Sequence, residues 1–264
     1  KDVVIVDTGG TTFDVSLIRN GQIKYTQDTW LIEEFRGHNL GMSSVDIRSI
    51  GSGGGSIAWV DEGGLLKVGP KSAGAKPGPA CYDTGGKLPT VTDAAVILGY
   101  IDPNNFLDGR MILNKEAALN AIEPLAQKLK MSTYEIAAAI ITITSESMIK
   151  AIEEITVNEG VNPKESIIIA GGGAAGLNIL PIANSLNCNE VIIPKTSGAI
   201  SACGAQFSNI VKDFSVNFYT RTDFWKEKEI YESIKKIDTS IYEFKQSLIK
   251  RDIEDFKVEY FCQA

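Results

Sequence analysis

Residues 6–18 read VDTGGTTFDVSLI, a glycine pair and three threonines set between two apolar runs and bracketed by carboxylates. Asp2 to Val6 is a dense Val/Ile run of the kind that makes a buried strand. Thr8-Gly9-Gly10-Thr11 reads as a turn, and Thr12 to Ile18 alternates, with Phe13, Val15 and Leu17 on one face. Asn20-Gly21 then marks a second tight turn into Gln22 to Thr26, so the spacing predicts a three-stranded meander. That order is restrictive. The Walker loop and the dinucleotide fingerprint both lead from their glycines into a helix, whereas here the glycines lead into a strand. A different anion grip is implied: main-chain N–H groups brought close by glycine, threonine hydroxyls as further donors, and an aspartate at a strand end able to hold hydrated magnesium. The same residue types also make an ordinary hairpin with a polar turn, and the stretch alone does not separate the two.

Composition narrows the partner. With 44% hydrophobic and 22% charged residues, 264 residues bury a sizeable core in one or two domains. A net charge of −7 with no lysine tract argues against a polyanion, so no nucleic-acid partner is expected. Cys81, Cys188, Cys203 and Cys262 lie far apart, with His38 the one histidine to join them, which excludes a standard zinc site and points to reduced thiols in the cytoplasm. No apolar run approaches the ~20 residues of a membrane span, and no signal peptide opens the sequence. His38, in the polar stretch FRGHNLGM, reads as a surface residue.

Residues 50–94 hold 11 of the 25 glycines. Ile57 to Val60 and Leu65 to Val68 nevertheless read as strands joined by Asp61-Glu62-Gly63-Gly64, so the segment is structured irregular backbone and not a linker. Such glycine density brings main chain close to a ligand or to other main chain. Asp93 closes the segment ahead of a helical pattern, Ala94 to Leu98, that stops at Gly99. It stands as a second candidate catalytic carboxylate beside Asp7, and equally as a helix N-cap.

The middle is helical scaffold. Asn114 to Lys130 reads as a helix broken or kinked near Pro124. Ser132 with Glu135 makes a capping box for a long helix ending at Gly160, with Ile136, Ile140, Ile143, Ile152 and Ile155 as core. Residues 166–206 then give a strand, glycines, a helix, a second strand and a second helix, a βαβ unit with a parallel pair. Gly171, Gly173 and Gly176 satisfy G-x-G-x-x-G. The acid that should end the next strand is missing, since Val191 to Pro194 runs into Lys195 and Thr196, so this is not a dinucleotide fingerprint. What survives is a glycine-rich strand-to-helix junction on which a flat or anionic group could rest. From Asp223 to Lys250, Ile230, Ile234, Ile237, Ile241, Phe244 and Leu248 make one apolar stripe on a helix. It suits docking on the chain's own domain or on a partner. FKVEYFCQA after it begins as a strand.

Two glycine-rich sites, one on a hairpin and one at a βα junction, suggest an α/β actin-like ATPase (ribonuclease-H-like) lobe with a mixed sheet. The blocks DTGGTTFDVSLI, IGSGGGSIAWVDEGGLLKVGPKSAGAKPGPACYDTGG, PTVTDAAVILGYI and AGGGAAGLNI followed by TSGAISACGA, in that order, resemble the hydantoinase A family, which includes oxoprolinase, N-methylhydantoinase and subunits of acetone and acetophenone carboxylases. The resemblance covers residues 1–215, leaving 216–264 as an amphipathic helix and the start of a further domain.

The resemblance implies ATP-dependent activation of an unreactive carbonyl through a phosphorylated intermediate, for opening a cyclic amide of the hydantoin or 5-oxoproline kind or for carboxylating a ketone. It implies magnesium, a hydantoinase B-type second subunit and compatibility with a homo-oligomer. Asp7, Gly9, Gly10, Thr11 and Thr12 would contact phosphates or magnesium, with Asp7 the metal ligand, and Gly171, Gly172 and Gly173 would lie against the adenosine. Family members carry an earlier D-x-G-G-T motif in an N-terminal lobe, so this stretch corresponds to the second half of a site and is expected to lack that lobe. Where many members read G-P-L-H, this chain has Gly176-Leu177-Asn178, closer to the carboxylase branch. A kinase or activator ATPase of the same fold, and an inactive fragment with an incomplete nucleotide site, are the alternatives.

Overall fold

The computed structural model describes residues 1–26, 38, 44–217 and 226–260. The chain divides into two compact units, Lys1–Ser208 and Asn209–Ala264.

The first unit is built on a mixed sheet. β1 (Val3–Thr8) and β2 (Phe13–Arg19) form the antiparallel hairpin that the alternation predicts, with Thr8 opposite Phe13. Val4, Val6 and Thr8 of β1 point to the same buried face as Phe13, Val15 and Leu17 of β2. Asn20 and Gly21 both take positive φ, the conformation a two-residue hairpin turn needs, and lead into β3 (Gln22–Ile23). The expected strand from Gln22 to Thr26 breaks at Lys24, whose carbonyl accepts from Asp46 N–H (2.9 Å); β4 (Tyr25–Thr26) then leaves the sheet to pair with β5 (Ser44–Val45). β6 (Ile47–Ile50) returns to β2. β7 (Ser56–Val60) and β8 (Leu66–Ser72) make a separate hairpin.

Three helices follow. α1 (Val91–Ile97) is fully buried and opens on a capping box in which Thr90 is the N-cap and Asp93 the N3 residue, so the N-cap lies three residues before the position read from sequence. The helix α2 (Lys115–Leu129) runs unbroken through Pro124, so the break that the sequence allowed there does not occur. The proline removes one donor, while Ala121, Ile122 and Ala126 hold that turn in the core. α3 (Thr133–Val157) has the predicted capping box from Ser132 and Glu135.

The long helix α3 serves two cores. Ile136, Ala137, Ile140 and Ile141 pack with α1 and α2, whereas Met148, Ile149, Ile152 and Ile155 pack against the sheet. Ile143, expected in the core, is only half-buried. It falls at the crossover between the two clusters, where Thr144 and Ser145 take the inward positions and bond back to the carbonyls of Ile140 and Ile141.

The βαβ unit then completes the sheet. β9 (Ile167–Gly171) adds parallel to β1, α4 (Ala175–Ser185) crosses over, and β10 (Glu190–Ile192) adds parallel to β9. The order is β10-β9-β1-β2-β3, with β6 also on β2. α5 (Ile200–Phe207) follows and has no buried residue. In the second unit, α6 (Glu227–Ile249) matches the predicted amphipathic helix. The ammonium of Lys212 lies over the rings of Phe214 and Phe244, 5.2 and 4.8 Å from their centroids. Residues 256–260 form no strand, contrary to the sequence reading, and 261–264 lie outside the described residues. Among the described residues, no helix is long and apolar enough to cross a membrane.

Candidate functional site

The turn between β1 and β2 is exposed at Gly10, Thr11 and Thr12, and it is held from behind. Gly54 N–H donates to the Gly9 carbonyl (3.0 Å) and Gly55 N–H to the Gly10 carbonyl (2.6 Å). Because a trans peptide directs its N–H opposite its C=O, tying these two carbonyls inward turns the N–H groups of Gly10 and Thr11 away from the Gly54 and Gly55 amides. Neither donates to an acceptor among the described residues. Two adjacent outward N–H groups at a strand-to-strand bend form a concavity for an anion. Ser72, at the end of β8, lies 3.3 Å from the Thr11 hydroxyl.

The glycine-rich segment is the brace for that bend. A Cβ on Gly53 would sit 2.6 Å from Gly9 O and 2.8 Å from Thr11 N, and one on Gly55 would sit 2.9 Å from Gly10 O. Gly54 is anchored in turn, its carbonyl accepting from both Thr92 N–H and Thr92 Oγ1 at 2.8 Å. So the density of glycines read from sequence reflects main chain meeting main chain at Gly53 and Gly55, which lie directly against Gly9, Gly10 and Thr11.

Asp93 lies under this brace. Its carboxylate is fully buried and accepts from the N–H groups of Ala80, Cys81 and Thr90 and from Thr90 Oγ1. Both oxygens are committed to holding the loop against α1. Burial, reinforced by the neighbouring Asp93 charge, pushes the Cys81 thiol well above its usual range and keeps it neutral. Burial likewise raises the Tyr82 phenol.

Asp7 is different. It lies one residue before the end of β1, on the face opposite the core, half-buried, and Asp14 of β2 is its cross-strand partner in register. Like charges directly opposite one another in a hairpin repel, so the pair is spared only where hydrogen bonds or a cation offset them. Asp14 accepts from the hydroxyls of Thr12 (3.2 Å) and Ser49. Asp7 Oδ2 accepts from Ser201 Oγ of α5 (2.6 Å). Sequence reading passed over Asp14 as a functional residue. The signal was present in the hairpin register, because a bend centred on Gly10 and Thr11 pairs Asp7 with Asp14. Ser201 and Ser72 carry no local signal.

The second glycine cluster divides. β9 pairs Asp7 with Gly171, which brings the two glycine sites to the same edge of the sheet. The space beside Gly171 is filled by Ile200, whose Cγ2 would be 2.4 Å from a Cβ there. Gly172, with φ +91°, abuts Thr8 O and Asp7 Oδ1. Gly173 faces open space. A side chain would thus clash at Gly171 and Gly172 but not at Gly173. His38 is exposed.

A mixed sheet with a βαβ crossover, and a glycine bend that leads strand to strand beside a carboxylate, defines an α/β lobe of the actin-like ATPase class. The chain belongs to the hydantoinase/oxoprolinase family, whose model matches residues 1–214. It is 38% identical over 223 residues to the caprolactamase subunit alpha of Pseudomonas jessenii, covering 84% of this chain and 32% of that one. It is 41% identical over 218 residues to the acetophenone carboxylase gamma subunit of Aromatoleum aromaticum, covering 80% of this chain and 28% of that one. Among solved structures, nucleotide-free acetone carboxylase superposes with a TM-score of 0.71 at 29% identity, over 77% of this chain and 28% of that one. The ATP-dependent caprolactamase of Pseudomonas jessenii gives 0.69 at 38% identity, over 77% and 29%. The chain thus spans about a third of the length of these relatives.

Proposed function

We propose that this chain is the ATP-binding portion of an enzyme that phosphorylates a carbonyl oxygen, to open a cyclic amide or to carboxylate a ketone. The observation that carries the reading is the pair of amides at Gly10 and Thr11 without an acceptor among the described residues, in a bend that follows Asp7 by three residues and is held by a brace whose Gly53 and Gly55 leave no room for side chains. Two relatives are described as ATP-dependent, one a caprolactamase and the other a ketone carboxylase. Amide hydrolysis and ketone carboxylation share one obstacle, an oxygen too poor as a leaving or reacting group. Phosphoryl transfer onto that oxygen removes it, and needs chiefly positioning and charge stabilisation.

In this reading the N–H groups of Gly10 and Thr11 and the hydroxyls of Thr11 and Thr12 bind phosphate oxygens, with Gly9 supplying the tight bend. Gly173 lies against the nucleoside, and Gly171 and Gly172 keep β9 close to β1. Asp7 and Asp14 form a hard-oxygen pair of the type magnesium prefers, with Asp7 the principal ligand. Magnesium bound there would neutralise phosphate charge. Asp93 acts through the brace and touches no substrate. Residues 1–215 form the second-half ATPase domain and 216–264 an amphipathic helix opening a further domain. A second subunit of the hydantoinase B type completes the enzyme, in keeping with relatives described as alpha, beta and gamma subunits. The compartment is the cytoplasm.

The test is magnesium-dependent ATP turnover by the full-length protein with its second subunit. Asp7→Asn is expected to lower turnover by about 100-fold or more. Turnover at the wild-type level would remove Asp7 from the chemistry.

A further inference from the structure

The helix α5 has no buried residue, yet it meets the lobe beside Asp7. Three points tie it there. Ile200 occupies the space that a side chain on Gly171 would need, and a Cβ on that glycine would lie 2.4 Å from Ile200 Cγ2. Gly172 N–H donates to Ser197 O (2.8 Å), in the turn just before the helix. Ser201 Oγ donates to Asp7 Oδ2 (2.6 Å). The first two contacts fix where the helix starts, and the third spends that placement on one carboxylate.

The consequence for Asp7 is geometric. Its Oδ1 lies against Gly172, where a Cβ would approach to 2.5 Å. Its Oδ2 is held by Ser201. An aspartate has two side-chain torsions, and χ2 is broad and twofold, so a carboxylate without partners samples several orientations. Here one oxygen is fenced by main chain and the other by a hydroxyl from an element 194 residues away in sequence. The hydroxyl is exposed and small, so it contributes little to the core and much to the aim of the carboxylate.

We propose that Ser201 is a positioning residue: it aligns Asp7 for the chemistry at the Gly9–Thr12 bend and couples that alignment to the seating of α5 on Gly171. The inference rests on the function proposed above. A misplacement of about 1 Å at a reacting group costs up to about 100-fold in rate, so a group that holds a carboxylate in one orientation affects turnover more than ground-state binding. Since it acts through Asp7 and not on phosphate directly, its loss should appear in kcat with KM for ATP nearly unchanged.

The experiment compares wild type, Ser201→Ala and Ser201→Thr in the full-length protein with its second subunit, measuring kcat and KM for ATP at saturating magnesium, with thermal unfolding in parallel. Ser201→Ala is expected to lower kcat by about 10-fold or more, to change KM by less than about threefold and to leave the unfolding midpoint in place. Ser201→Thr, which retains the hydroxyl, is expected to recover most of the lost kcat. A wild-type kcat in Ser201→Ala, or an equal loss in Ser201→Thr, overturns the positioning role while leaving the function standing. A wild-type protein without magnesium-dependent ATP turnover overturns the function and this role with it.

Discussion

Replacing Gly53 by alanine tests the brace most directly. The added Cβ would sit 2.6 Å from Gly9 O, 2.8 Å from Thr11 N and 2.9 Å from the Gly10 carbonyl carbon, where real Cβ contacts stay beyond 3.0 Å. All three neighbours are main chain, so no side chain can swing aside. Either the bend retreats by about 0.4 Å, the shortfall between 2.6 and 3.0 Å, or the loop that holds it does. The bonds from Gly54 N–H and Gly55 N–H to Gly9 O and Gly10 O, at 3.0 and 2.6 Å, resist that retreat. Overpacking of this kind costs about 1–3 kcal/mol. Loss of one of the two hydrogen bonds would add about 0.5–1.5 kcal/mol. Against these, alanine restricts the unfolded chain and returns about 0.4–1 kcal/mol. The net expectation is a loss of about 0.5–4 kcal/mol. Gly10→Ala is the internal control, since nothing lies within 4 Å of its added Cβ and the same entropic gain applies. The assay is guanidinium unfolding followed by circular dichroism, read as a shift in midpoint at constant slope. A Gly53→Ala protein as stable as Gly10→Ala would refute the claim that these glycines exist for close approach.

Asp93→Ala should cost about 3 kcal/mol or more in the same assay, because it leaves the buried N–H groups of Ala80, Cys81 and Thr90 without an acceptor; a loss below about 1 kcal/mol would contradict the architectural role. Glu135 gives the pH prediction. Its carboxylate is held below the usual range by Ser132 N–H and then by the Ser132 hydroxyl. A depressed folded-state pKa means that its contribution is present above the unfolded value of about 4.3 and is lost as pH falls through the folded value. Glu135→Gln should therefore flatten that part of the acid limb of the stability profile, and an unchanged limb would show that the capping box does not titrate with folding.

The hairpin was legible because its evidence is local. Val/Ile density, strict alternation through Phe13, Val15 and Leu17, and Asn20-Gly21 each act within a few residues of the structure they make, and so does the capping box at Ser132 and Glu135. The βαβ unit, with its change from continuous apolar strand to glycines to helix, was legible for the same reason. Alternation also contained the pairing of Asp7 with Asp14, since register follows once the centre of the bend is known. Errors arose where a partner distant in sequence decided the outcome. Ile143 has the right spacing for the core, but it falls between two clusters that one helix must serve. Pro124 has a helix-breaking residue's chemistry, but packing on both sides keeps α2 whole.

By itself, then, the sequence determined which segments pair or coil and that glycine would bring main chain near something, since backbone torsion and apolar period are properties of neighbouring residues. Only the tertiary structure decided what each glycine meets: Gly9 for Gly53, Ile200 for Gly171, Thr8 and Asp7 for Gly172. It alone separated the two candidate aspartates, burying Asp93 among four donors and leaving Asp7 near a strand end under Ser201. The physical reason is that a carboxylate's role depends on its solvent exposure and on donors that folding delivers from elsewhere in the chain, and neither is encoded in the residues beside it.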